Sequence, residues 1–401
     1  MIPAIASRIP LVRRTKAPAL PLEERINHLT GLTVAPAGAS HHDLVARACG
    51  VLNYAALIAS DVGLSDLAED LCWRQYQVFA DTGRLSGRAA VMSLMPLVNL
   101  SRLQTRAGHG SLAYSLLLCL NDAARHRNKT DIDGRTIDLS ALTGTDEDHR
   151  TVCQELYVIL LVDGARALAR TGRWTEAADA MAQHRGIGNR LLDGRQIKIM
   201  ALMEQGLDEQ ARDLIDTTQP MAPWETAVGQ LLRVHCRPAE TRLPRADLNQ
   251  AQRAAASLLA DPEPSTAVFQ TRAGLAGLEL NANGSQSSAL LEALAEVARL
   301  DAYAAREVLD DPSARAILSA KRASSLGSVV GAAGLGAGTL PADHQRSLSE
   351  SVALGEAELK RLLHDDKAPT RQSPGGSTAN HMSDRTQHHS PPYLTTEGEG
   401  S

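Results

Sequence analysis

Two pairs of arginines have a spacing that could do chemistry. Arg102 and Arg106 precede Gly108 by six and two residues, and Arg166 and Arg170 precede Gly172 by the same six and two. Within each pair the i, i+4 separation puts both side chains on one face of a helix. Four guanidinium groups arranged this way on neighbouring helices would make a surface for carboxylates or phosphates, whose oxygens match the planar fork of N–H donors. The expected partner is a protein or peptide, acidic in character. A plainer reading stands beside it: solvated arginines paired with Asp or Glu of an adjacent helix. Only six of the 41 basic residues are Lys, as coding by a GC-rich bacterial genome would produce.

Other constellations point away from chemistry. Asp146-Glu147-Asp148-His149 is the densest group of metal-ligating residue types. Adjacent residues of a helix face different directions and cannot converge on one ion, whereas acids in a first turn complement the helix dipole. Thr145, three residues before Asp148, completes a capping pattern. The histidine pairs His41-His42 and His388-His389 belong to no ligand set of metal-site spacing. The glycine-rich run 327–338 has neither the Lys-Ser/Thr of a phosphate loop nor a following helix, since Thr339-Leu340-Pro341 comes next, and reads as a flexible connector. No G-x-S-x-G elbow or kinase-type motif occurs. No metal, no cofactor and no catalytic residue are expected. Cys49, Cys72, Cys119, Cys153 and Cys236 are odd in number and widely spaced, without a C-x-x-C, and read as buried free thiols in a reducing cytoplasm.

These residues must be positioned by helices. Hydrophobic residues make up 43% of the 401, yet there are only two Phe, six Tyr and three Trp. Ala and Leu dominate, and both form helices at little entropic cost, while a β-sandwich would need more β-branched and aromatic residues. From Ser40-His41-His42-Asp43, a capping box, amphipathic helices follow one another with short breaks. One break recurs: Gly63, Gly108, Gly172, Gly206 and Gly284 are each followed five residues later by Ala, at positions 68, 113, 177, 211 and 289. Glycine supplies the left-handed turn that ends a helix, and the alanine lets the next helix pack closely. The predicted architecture is all-α, a series of antiparallel helix hairpins.

The step from Gly172 to Gly206 is 34 residues. That period, with Ala165, Leu168, Gly172, Trp174, Ala177 and Met181, and then Gly206, Ala211 and Pro223, resembles the tetratricopeptide repeat. The resemblance covers 155–223 and is faint elsewhere. It implies a right-handed superhelical array, an α-solenoid, whose inner groove is lined by the arginine positions above, with Trp174 packed between hairpins. Trp73 and Tyr76 read as core in the same way. Similar arrays form the sensor halves of actinobacterial helix-turn-helix regulators, but here no DNA-binding domain is expected ahead of the repeats.

The expected organisation is a poorly ordered arm over 1–39, repeats over 40–323 with an inserted polar loop over 127–145, a glycine-rich linker over 324–342, a helix over 343–364 and a disordered tail over 365–401. A degenerate hairpin break is expected near 237–243. The net charge of −5 gives no global attraction to nucleic acid or anionic membrane, and no membrane span is expected. The predicted function is a non-catalytic, cytoplasmic protein- or peptide-binding module, regulatory or accessory to a bacterial pathway. The alternatives are a ligand-sensing regulator working with a separate DNA-binding partner, with Arg8, Arg13, Arg14 and Lys16 touching phosphates, or an accessory enzyme with an unrecognised helical site.

Overall fold

Ala- and Leu-rich amphipathic segments separated by helix-ending glycines should stack as successive hairpins. The computed structural model, which describes residues 2–237, 243–280 and 284–365, is all-α apart from one short β-hairpin among the described residues. A 3-10 turn at Ala4–Arg8 and an extended stretch lead to α1 (Leu22–Leu32). Next come α2 (His41–Val62), α3 (Ser65–Ala80), α4 (Gly87–Arg106) and α5 (Gly110–His126). Strands β1 (Lys129–Ile132) and β2 (Arg135–Asp138) precede α6 (Asp146–Ile159), a π turn at Leu160–Gly164 and α7 (Ala165–Arg170). The chain continues with α8 (Trp174–Gln183), α9 (Asp193–Glu204), α10 (Asp208–Asp216), α11 (Pro223–His235) and α12 (Arg245–Leu259). It ends with α13 (Ala267–Leu278), α14 (Gly284–Ala298), α15 (Ala302–Asp310), α16 (Pro312–Ile317), α17 (Ala320–Ala332) and α18 (Ala342–Asp365). Most helices pack on their neighbours in the chain, while α18 packs chiefly on α2 and α1 and α17 on α15.

Four of the five glycine hinges form as expected. Gly63, Gly108, Gly172 and Gly206 have φ of 96°, 86°, 72° and 70°, the left-handed region open to glycine. The residue after the hinge returns its N–H to the preceding helix at three of them: Leu64 to Ala59 O, His109 to Gln104 O and Leu207 to Leu202 O. The following helix starts at once, and Ala68, Ala113, Ala177 and Ala211 are fully buried. The fifth place differs. Gly284 opens α14, the three residues before it lie outside the described ones, and Ala289 is exposed, so no close helix approach depends on it.

Local capping matches the sequence. Asp43 N–H donates to Ser40 Oγ at 3.2 Å, and Ser40 N–H to Asp43 Oδ2 at 3.3 Å. At α6 Asp148 N–H donates to Thr145 Oγ1, while Asp148 Oδ1 accepts from Gly87 N–H at 2.9 Å, joining the starts of α4 and α6.

The segments expected to be loose are ordered by long-range contacts. The predicted loop 127–145 holds the β-hairpin, turned at Asp133 and Gly134, both left-handed, with Ile132, Ile137 and Leu139 buried. The predicted arm 1–39 carries Ile5, Ile9, Leu11, Val12, Leu22, Ile26 and Leu29 into the core. Its prolines prevent a long helix but not burial of an extended chain. The predicted linker is in large part α17. Beyond it Gly336 and Gly338 N–H donate to Asp61 O and Val62 O at 2.8 and 2.7 Å, satisfying carbonyls that the end of α2 leaves unpaired. The expected C-terminal helix is present as α18. The tail beyond it, and positions 238–242 of the degenerate break, lie outside the described residues.

Two large apolar cores result, with a small third cluster of Ala19, Ala302 and Ala333. One joins α2–α6 with α1 and α18. The other joins α7–α17 with residues 5–11. Residues 5–11 and α18, near the two ends of the described residues, therefore each pack into a core, and Trp73 and Trp174 are both core residues. α2 is long and apolar enough to cross a membrane, and 67% of its most apolar window is buried inside this fold against its neighbours. Cys49, Cys72 and Cys236 are buried, and burial pushes each thiol up to about 12. Cys119 is exposed and Cys153 half-buried, so the thiols are not uniformly internal.

Candidate ligand-binding cleft

The last turns of α4 and α7, just ahead of the hinges at Gly108 and Gly172, carry the four arginines singled out by spacing. Arg102 gives Nε–H and Nη2–H to Asp163 of the π turn, at 2.9 and 2.8 Å, and Nη1–H to Asn99. Arg106 reaches Asp61 and Ser60 at the end of α2, both at 2.8 Å, and Tyr303 of α15 at 3.4 Å. Arg166 donates through Nε to Asp193 at the start of α9, at 3.1 Å. Arg170 is exposed and makes no ion pair among the described residues. The expected strip of four equivalent guanidinium groups is thus uneven, since three hold carboxylates of adjacent elements. Their side chains nevertheless keep 45%, 43% and 34% of their surface open to solvent.

Asp61 is the hub. Its carboxylate, 1% exposed, accepts from Arg25 at 2.6 Å, from Arg106, and from the Tyr303 hydroxyl in a short hydrogen bond. Burial, then the charge of Asp61, raises the Tyr303 phenol above its ordinary value, so the ring stays a neutral donor.

Around the Tyr303 ring stand three cations whose common neighbour the sequence did not reveal. Lys16 Nζ lies 4.3 Å from the ring centroid, and the guanidinium carbons of Arg306 and Arg106 at 5.8 and 5.9 Å. Arg272 of α13 is close enough to act electrostatically on both Lys16 and Arg170, and it holds Glu307 bidentately at 2.9–3.0 Å through Nε. Lys16 is placed by its backbone N–H, which donates to Ser265 O at 2.9 Å. Desolvation is the first cause lowering both Lys16 and Arg170; the positive charges of Arg272 and Arg106 add to it, and the carboxylates of Asp301 and Glu307 at Lys16, and of Glu307 at Arg170, oppose it. Both side chains are exposed all the same.

The basic residues of the N-terminal segment do not form a free arm for phosphates. Arg8 pairs with Glu279 and with Asp311 at 2.7 Å, Arg13 with Glu263 at 2.8 Å, and Arg14 with Asp193 at 2.5 Å. Among the described residues no group of three or more His, Cys, Asp or Glu side chains is gathered as metal ligands would be. Asp148 is committed to its cap, and His149 lies beside Cys153. Only distance along the chain hid Arg272, Tyr303 and Arg306, and their nearness to Lys16, since the four come from three segments with no shared motif.

No protein-family model, curated protein or solved structure matches this chain.

Proposed function

We propose that the protein is a non-catalytic binding module, a tetratricopeptide-like right-handed array of helix hairpins that holds an acidic peptide. One observation carries the reading: alternate helices already grip an extended segment of the same chain. Gln196 of α9 clasps the backbone of Leu11, accepting from its N–H at 2.7 Å and donating to its carbonyl at 2.9 Å. Asp301, at the start of α15, accepts from Ala19 N–H, and Ala302 N–H donates to Ala19 O. Backbone recognition of this kind holds a peptide, while side-chain charge selects it. Beyond the gripped segment, Arg102, Arg106, Arg166 and Arg170 offer the remaining open part of the same face to a partner. The hinges at Gly172 and Gly206 and the close packing at Ala177 and Ala211 support the repeat assignment. Buried free thiols fit a reducing, cytoplasmic setting, in which a regulatory or accessory role follows from binding alone.

The test is fluorescence anisotropy of the full chain with a labelled Asp/Glu-rich peptide. Binding is expected to weaken at least tenfold in the Arg102→Ala/Arg166→Ala variant and with added salt. Unchanged affinity in the variant, or no binding by the wild type, would remove the proposal.

A further inference from the structure

We infer that the groove holding residues 4–20 is a docking site for an extended Arg-x-x-Leu-x-x-Arg segment of a partner protein. The chain's own Arg8-Ile9-Pro10-Leu11-Val12-Arg13-Arg14 is its tethered occupant. The inference goes beyond the acidic-peptide reading, because this groove has the opposite charge preference, and it does not depend on that reading.

Three fixed points make the recognition. At the centre Gln196 exchanges two hydrogen bonds with the Leu11 backbone, at 2.7 and 2.9 Å, and Leu11 itself is 1% exposed in the core built by α7–α17. Three residues earlier, Arg8 Nη2 is shared by Glu279 at the end of α13 and Asp311 just ahead of α16. Three residues later, Arg14 Nη2 meets Asp193 of α9 at 2.5 Å. A backbone clasp, an apolar anchor and a charge on either side are what a groove needs to read an extended peptide. Arg13 adds little selection, since it pairs with Glu263 where the two side chains are 49% and 40% exposed.

The gripping groups are set by the helices and not by the segment. Gln196 Nε2–H also donates to Leu191 O at 2.7 Å, Asp193 Oδ1 accepts from Arg166 Nε–H at 3.1 Å, and Asp311 Oδ1 accepts from Ala314 N–H at 2.8 Å. Each side chain spends one contact on the segment and another on its own surroundings. Groups held in this way keep their places when the occupant changes, which is preorganisation for a ligand.

The tethered segment fits imperfectly. Arg8 Nε, Arg14 Nη1 and Glu279 Oε2 are buried and find no hydrogen-bond partner among the described residues. Two carboxylates share the single cation of Arg8: burial raises the Glu279 carboxyl, Arg8 opposes the rise and Asp311 adds to it. Residues 10–20 join no helix or strand, and their described backbone hydrogen bonds to other elements are at Leu11, Lys16 and Ala19. A second copy of the chain would bring the same imperfect segment and lose association entropy as well, so it gains nothing over the tethered one. A separate protein whose segment satisfies the unpaired atoms does gain.

The test is fluorescence anisotropy of the full chain with a labelled synthetic peptide of residues 4–20 at neutral pH. The wild type should bind it weakly, because the tether holds the chain's own segment at an effective concentration of about millimolar. In the full-length Arg8→Glu/Arg14→Glu variant the carboxylates repel that segment, and affinity for the peptide should rise at least tenfold. A peptide carrying the same two changes should bind neither protein, and adding Gln196→Ala to the variant should abolish binding of the wild-type peptide. Equal weak binding by variant and wild type, with the variant's helical circular dichroism intact, overturns the docking site. So does binding indifferent to the arginines of the peptide. If the variant loses its helical signal, the wild type decides: excess unlabelled peptide should speed hydrogen exchange at Leu11 N–H of the nitrogen-15-labelled chain at least tenfold, and unchanged exchange overturns the site. A dimer that grows with protein concentration and is dissolved by the peptide would assign the groove to a second copy and overturn its assignment to a separate partner. Binding of the 4–20 peptide without any acidic-peptide binding would keep this groove and remove the acidic-peptide reading. Acidic-peptide binding lost in Arg102→Ala/Arg166→Ala, with no 4–20 binding by the folded variant, would do the reverse.

Discussion

Replacing Asp61 by alanine should be among the most damaging single changes available. Its carboxylate and the Arg25 guanidinium are each 1% exposed and 2.6 Å apart. Arg25 Nη1 is buried without an acceptor among the described residues, and besides Asp61 the guanidinium faces the neutral phenols of Tyr54, its ring at 5.9 Å, and Tyr303. Without Asp61 the protein must bury an uncompensated cation or open to hydrate it. Breaking such a pair from one side costs about 3–5 kcal/mol, and the two phenols that remain beside Arg25 carry no charge to replace the carboxylate. Arg106 also loses its partner, but at 43% exposure it turns to water at little cost. Removing both charges is a different perturbation. Arg25→Met with Asp61→Asn leaves no buried ion, and it should recover stability to within about 1–2 kcal/mol of wild type. Urea unfolding followed by circular dichroism at neutral pH measures both. A loss below about 1 kcal/mol in Asp61→Ala, or a double variant no better than the single one, would refute the claim that this pair is buried and mutually dependent.

Three further outcomes follow from the geometry. Gln196→Ala strands the buried N–H and carbonyl of Leu11, so a loss of about 2–5 kcal/mol is expected, with early protease cleavage within residues 4–20. Retained resistance to cleavage would show that the clasp is dispensable. His235 faces Ala276 O at 2.9 Å, and burial pushes its ring from the ordinary 6.5 down to about 4. Between those values the unfolded chain binds a proton that the native one refuses, so stability rises with pH through this window. The change is at most about 3 kcal/mol, and parallel pH profiles for wild type and His235→Asn would contradict it. Gly172→Ala meets no atom within 4 Å, so only the strain of a left-handed alanine at φ 72° acts. Urea unfolding should show a loss of about 1–2 kcal/mol, and a neutral effect would argue against the hinge conformation.

The helices, their starts at Ser40 and Thr145, and the hinges at Gly63, Gly108, Gly172 and Gly206 were legible in the sequence. They depend on interactions within about five residues, which spacing encodes directly. The arginine pairs were legible as positions on a helix face, but not as ion pairs. Arg102 finds Asp163 sixty-one residues away, and Arg106 meets Tyr303 across 197. Only the path of the whole chain decides such partners. The same limit applies to residues 4–20, where an extended, proline-broken segment shows no periodicity. Its order comes from Gln196, Ser265 and Asp301, which belong to other helices. The glycines beyond α17 look flexible until the open carbonyls of α2 are set against them. The local code determined the hairpins and their turns. Tertiary packing alone decided that Lys16, Arg106 and Arg306 gather around the Tyr303 ring, because electrostatic proximity follows distance in space and has no signature along the chain.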